Sequence, residues 1–223
     1  MWVHQIGGVG FDSNIYLLID DVIALIDAGT GMKFGVVARN MKKLGVNPED
    51  VELLLNTHCH YDHTGGDKDF FVSSGCDVAV HESEADLIRE GDQIITLAGS
   101  FFGKKLEPVE VSVELRDGDR IKLGEFVLEV IHTPGHTMGS VCFYERRRKL
   151  LFSGDTLFCG GVGRTDFPTS NAETLAISLR KLSKLDIDGL FPGHGPYEEK
   201  NAKKHVLNAL KYVDSSKMHP VEW

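Results

Sequence analysis

The sequence predicts an α+β protein in which two mixed sheets pack together and carry helices on their outer faces. The 223-residue chain reads as one domain with two similar halves, about 1–115 and 116–223; each opens with strands and then alternates strand with helix. Short apolar runs bounded by glycine, proline or aspartate recur through both halves, as strand segments do. Several of these runs deliver a histidine or an aspartate directly at their end.

Residues 14 to 27 read as two apolar strands joined by a tight turn at Asp20-Asp21. Asp27 ends the second strand before a glycine turn, where it either caps the next helix, Met32 to Leu44, or supports a site from behind. Gly45-Val-Asn-Pro breaks that helix, and Val51 to Asn56 follows as a strand. A helix near Lys68 to Ser74, a strand at Asp77 to His81 and a helix from Ser83 to about Glu90 come next. His81 at a strand end is more often structural than a ligand. Gly91 to Pro108 has little periodicity and reads as a lid, a substrate wall, a packed surface segment or an oligomer contact.

The second half is richer in strands: Val109 to Leu115, Arg120 to Leu123, Phe126 to His132, Val141 to Tyr144 and Leu150 to Phe152. Arg146 to Lys149 lies between the last two and reads as a solvated hairpin tip. The glycine-rich loop from Gly160 lacks the lysine and spacing of a phosphate-binding loop. Asn171 to Lys184 repeats Leu175, Leu179 and Leu182 at helical spacing, Ile187 to Phe191 is a last strand, and Glu199 to Val213 is a last helix.

A net charge of −9 and a pI near 5.5 argue against a nucleic-acid surface, which needs a basic excess. Cys59, Cys76, Cys142 and Cys159 are scattered without a Cys-X-X-Cys pair, as reduced thiols of an intracellular protein are. No signal-like or membrane-spanning stretch is present, so a cytoplasmic location with no membrane partner is expected. Phe101-Phe102 and the tail Val221-Glu-Trp223 are candidate contacts of a homodimer.

The densest chemistry lies between Leu53 and Gly66, where an apolar strand delivers His58, His60, Asp62 and His63 onto a loop within six residues. Alternate residues of an extended segment point the same way, so His58 and His60 can close on one cation, while Asp62 and His63 can reach a second. Cys59 then points to the opposite face as a packed thiol. His136, Asp155 and His194 each follow an apolar strand beside a glycine, which brings the candidate ligands to seven. Five of the ten histidines belong to this set, so coincidence is a poor explanation.

The ordered set Leu25-Ile-Asp27, Thr57-His-Cys-His-Tyr-Asp-His63, Thr133-Pro-Gly-His136, Ser153-Gly-Asp155 and Pro192-Gly-His194-Gly resembles the five motifs of the metallo-β-lactamase superfamily. The resemblance covers about Asn14 to Gly195. It implies a four-layer αββα sandwich with two divalent metal ions, zinc first and iron or manganese as alternatives. It assigns His58, His60 and His136 to one ion, Asp62, His63 and His194 to the other, Asp155 as the bridge, and Asp27 as a support behind the ligands. A hydroxide shared by two ions about 3.5 Å apart would attack a carbonyl or phosphoryl centre, with Asp62 orienting it.

Within the superfamily, Gly154 to Pro168 is similar to the corresponding part of hydroxyacylglutathione hydrolase (glyoxalase II) and its relative persulfide dioxygenase. The resemblance therefore implies a hydrolase of a small-molecule thioester or related ester. Arg164 and Tyr197 are candidate substrate contacts, Arg164 equally a holder of its own loop. Glyoxalase II proper carries a sizeable helical domain after this region, whereas here one helix follows Gly195; the chain resembles the compact glyoxalase II-like hydrolases. The alternatives are a mononuclear iron persulfide dioxygenase using positions His58, His136 and Asp155, a lactonase, and a metal-dependent nuclease.

Overall fold

The computed structural model describes residues 3–8 and 10–214, and among them the chain forms two compact units, each built on one mixed sheet. The first unit is Met1–Leu115 with Lys122–Phe126; the second is Arg116–Ile121 with Val127–Trp223. The tail proposed as a dimer contact lies outside the described residues.

In the first unit, β1 (Val3–Gln5), β2 (Tyr16–Ile19) and β3 (Ile23–Ile26) pair antiparallel in sequence. The expected hairpin is β2 and β3. Strand β1 leaves no sign in the sequence, because three residues are too few to show a period; its pairing of Val3 with Leu18 makes it a strand. Helix α1 (Phe34–Lys43) buries Val37 and Met41 and leads to β4 (Leu53–Leu55), parallel to β3. Short α2 (Tyr61–Thr64) and α3 (Asp67–Ser74) precede β5 (Asp77–His81), α4 (Ala85–Glu90) and β6 (Val113–Leu115). The sheet order is β1-β2-β3-β4-β5-β6, parallel from β3 onward. Central β4 is flanked on both sides, so Leu54 and Leu55 are buried and no alternation shows in its sequence.

Two local expectations need correction. Asp62 and His63 sit on the helical turn α2 rather than in an open loop, because the His60 carbonyl accepts from the amides of His63 and Thr64. The strand expected at Val109 starts only at Val113; Val109 and Val111 are core residues of the segment before it.

The second unit arranges β7 (Arg120–Lys122), β8 (Val127–His132), β9 (Val141–Glu145), β10 (Leu150–Gly154) and β11 (Gly189–Pro192) in the order β11-β10-β9-β8-β7. Helix α5 (Ala172–Leu182) crosses from β10 to its parallel partner β11, and α6 (Lys203–Asp214) follows. The Asn171 side chain accepts from the Thr174 amide and caps α5. Leu175, Leu179 and Leu182 face Leu151, Leu190 and Val206, the core that the spacing predicts. Each such leucine contributes roughly 1.5–3 kcal/mol of burial. Among the described residues no helix is long and apolar enough to cross a membrane.

Candidate functional site

The first unit gathers His58, His60, Asp62, His63 and Asp27 beyond the C-terminal ends of β3 and β4. The chain leaves β4 through Asn56 and Thr57, keeping its alternation as far as His60. Cys59 therefore turns into the apolar core and is fully buried, while its amide donates to the Glu84 carboxylate at 2.8 Å. Burial first, and Glu84 second, push the Cys59 thiol well above its ordinary value, so it stays a neutral packing group. On the opposite side, His58 Nε2 and His60 Nδ1 are 3.1 Å apart. Two ligands on one tetrahedral ion stand about 3.3 Å apart, given metal–ligand bonds of roughly 2.0–2.1 Å.

Asp27 does not cap α1, which begins without a side-chain cap. Its backbone takes a left-handed conformation (φ 59°) that turns the carboxylate back toward the β4 end. There Oδ1 accepts from the Thr57 amide at 2.8 Å, and Oδ2 lies 2.8 Å from His63 Nδ1. A carboxylate accepts only, so His63 Nδ1 carries the proton and Nε2 presents a lone pair, 3.8 Å from Asp62 Oδ2. Behind this layer the Asn56 amide donates to Asp67 at 2.6 Å. Asp67 is fully buried, and desolvation raises its pKa well above the carboxylate range although Asn56 opposes this.

The second unit gathers His136, Asp155 and His194. Asp155 Oδ2 is 3.5 Å from His136 Nε2 and 3.6 Å from His194 Nε2. His136 Nδ1 lies 2.9 Å from the Arg164 carbonyl oxygen. A carbonyl also only accepts, which fixes the proton on Nδ1 and leaves the lone pair of Nε2 facing the carboxylate. Two electron-rich atoms turned toward each other at that separation fit a shared cation between them. The donors are all imidazole nitrogens and carboxylate oxygens, which suits zinc, manganese or iron.

Some contributors left no trace in the sequence. The Arg164 carbonyl is a backbone atom, and only the tight loop reveals it: a Cβ on Gly163 would lie 1.9 Å from the Asp155 carbonyl oxygen and 2.9 Å from His136 Nδ1. The Arg164 guanidinium bonds Asp166 at 2.7 Å and lies over Phe167, which is the loop-holding reading of this residue. Tyr197 stacks on Phe191 at 5.4 Å and is half exposed. His81 bonds Ser83 at 2.9 Å. In the poorly periodic segment, the Thr96 carbonyl accepts from the Tyr61 amide and Phe102 packs on Tyr61, so the segment braces α2. Phe101 remains 54% exposed. At the basic tip, Arg146 pairs with Glu129 and Lys149 with Asp186, both at 2.6 Å.

Comparison with known proteins gives the family from sequence and a shared fold from solved structures. Residues 8–194 match the family model described as the metallo-beta-lactamase superfamily. A probable metallo-hydrolase of Methanocaldococcus jannaschii is 36% identical over 90% of this chain and 96% of its own. The hydroxyacylglutathione hydrolase GloC of Haemophilus influenzae is 33% identical over 88% and 92%. The acyl-coenzyme A thioesterase MBLAC2 of Gallus gallus is 33% identical over 83% and 73%. Among solved structures, the BLEG-1 B3 metallo-beta-lactamase has a TM-score of 0.80 at 24% identity, covering 95% of this chain and 99% of that one. TTHA1623 in a di-iron-bound form has a TM-score of 0.73 at 30% identity, covering 88% and 93%.

Proposed function

Because the chain belongs to the metallo-beta-lactamase superfamily and is a metallo-hydrolase of it, we propose that it hydrolyses an acyl thioester. One observation carries the choice of substrate class. The relatives GloC and MBLAC2 carry names that denote hydrolysis of a glutathione thioester and a coenzyme A thioester, and they share the thioester bond while differing in the thiol. The reading is therefore of an acyl–sulfur bond, with the thiol carrier open to test.

In this reading His58, His60, Asp62, His63, His136, Asp155 and His194 hold two divalent ions, zinc first. When bound, such ions supply Lewis acidity, which lowers the pKa of a coordinated water and offsets negative charge developing on the thioester oxygen. The chain's own groups do the rest. Asp27 and the Arg164 carbonyl hold His63 and His136 in the tautomers that present Nε2. Asp62, the least buried of the first unit's four donors, is assigned the orienting of the attacking water and the acceptance of its proton. Water adds to the carbonyl carbon, the carbon–sulfur bond breaks, and the departing thiolate takes the proton. Tyr197 is the assigned substrate contact, and Arg164, bonded to Asp166 and lying over Phe167, holds the loop that places its carbonyl on His136.

The test is thiol release from a 2-hydroxyacyl-glutathione and an acyl-coenzyme A, with acid release from an aliphatic lactone as the control, after elemental analysis of the purified chain. About two ions per chain with thioester turnover is the expected result. Asp155→Asn should lower turnover by more than the roughly 10–100-fold typical of an outer-shell change. One iron per chain, oxygen consumption with a persulfide and no thioester turnover would overturn the reading in favour of an oxygenase.

A further inference from the structure

We propose that Cys159, Glu198 and His205 form a second metal site, separate from the seven donors above, that takes one zinc ion with water completing its shell. Cys159 is distant in sequence from Glu198 and His205, which lie seven residues apart, and the three meet within the second unit. Cys159 lies in the turn after β10 that is closed by the Phe158 amide and the Gly161 carbonyl at 2.8 Å. Glu198 is held by paired backbone bonds to Leu190 of β11, at 2.7 and 2.9 Å. His205 sits in the first turn of α6, its amide bonded to the Ala202 carbonyl.

One donor atom from each residue lies within 4.8 Å of the other two, and all three residues are partly buried, so an ion can enter while bulk water is thinned around it. His205 Nε2 and Glu198 Oε2 are 2.5 Å apart. A tetrahedral zinc holds nitrogen and oxygen ligands about 3.3 Å apart, so replacing the shared hydrogen by the ion spreads this pair by only about 0.8 Å. Lys204 Nζ occupies the other oxygen, Oε1, at 2.5 Å and leaves Oε2 to the ion. On binding, the thiol proton leaves Sγ for solvent as the zinc–sulfur bond forms, and the hydrogen between His205 Nε2 and Glu198 also passes to solvent, with Nδ1 carrying the one that keeps the imidazole neutral. Two anionic ligands, a neutral imidazole and a dication then sum to zero charge. A soft thiolate with an imidazole and a carboxylate is a set that favours zinc over magnesium or calcium. Burial first, and then Glu198, hold the Cys159 thiol above its ordinary value, a penalty that a cation here would relieve.

Cobalt(II) titrated into the full-length, metal-stripped chain separates this site from the other donors, which contain no thiolate. Only a cobalt–thiolate bond produces an intense near-ultraviolet charge-transfer band. The band is expected in the wild-type chain, lost in Cys159→Ser and weakened in His205→Gln. Its absence from the wild-type chain, or its survival in Cys159→Ser, overturns the site. A second measurement needs no substitution. Zinc should slow alkylation of Cys159 in the wild-type chain at least several-fold, read by peptide mass mapping, and an unchanged rate counts against the proposal. Neither readout depends on thioester activity, so failure here and failure of the hydrolase reading are distinguishable.

Discussion

At the scale of single residues, orientation of the ligands depends on atoms that do not themselves hold a metal. Asp27 is the clearest case, since its carboxylate reaches both the Thr57 amide and His63 Nδ1. Asp27→Asn keeps the shape and tolerates the left-handed backbone, but removes the charge that favours a protonated Nδ1. We expect metal affinity to fall roughly 10–100-fold with the fold intact, measured by chelator competition. Unchanged affinity would mean that His63 does not act through Asp27.

Cys142 gives a pH dependence whose sign can be worked out. Burial pushes its thiol from an ordinary 9.0 to about 11, against smaller opposing bonds from Thr133 and Thr156. The neutral thiol is favoured in the folded state, so the contribution is complete below pH 9.0 and is lost as pH rises from there toward about 11, where the unfolded chain ionises first. Two units correspond to roughly 2–3 kcal/mol. Denaturant melts of Cys142→Ala should show a shallower decline across that window than the wild-type chain, whatever the substitution does to stability at pH 7.

At the scale of elements, the connections decide more than the strands and helices do. Gly163 lies where the loop after β10 passes closest to Asp155 and His136, and a methyl there meets a backbone oxygen at 1.9 Å. The backbone cannot yield as a flexible side chain can, so Gly163→Ala must displace the loop. Loss of about 1–3 kcal/mol in stability is expected, with weaker metal binding because the Arg164 carbonyl moves off His136. Thermal melts and metal titration of this variant check both effects. The segment 91–108 makes the same point in the other unit. It lacks helical or strand periodicity because its bonds go to particular atoms, such as the Tyr61 amide, rather than to neighbours at a fixed spacing.

At the scale of the whole molecule, metal and stability are coupled. A folded chain that binds an ion its unfolded form does not bind gains about 4 kcal/mol when free ion exceeds the dissociation constant 1,000-fold. For a chain of this length each kcal/mol moves Tm by roughly 2–4 °C. Chelation should therefore lower Tm by roughly 8–16 °C for each tightly held ion, and zinc should restore it. A melt indifferent to chelator would count against resident metal.

The α+β class, the placement of His58, His60, His136, Asp155 and His194 after strands, and the buried role of Cys59 follow from local patterns: apolar runs, residue alternation, and a histidine or aspartate next to glycine. These signals lie within a few residues of one another, so they can be read along the chain. Tertiary structure alone decided which nitrogen of His136 and His63 faces outward, that the histidine Asp27 reaches is His63, and that Cys159 meets Glu198 and His205. Each of these depends on contacts between groups distant in sequence, whose geometry is set by sheet pairing and helix packing and leaves no periodic mark in the chain.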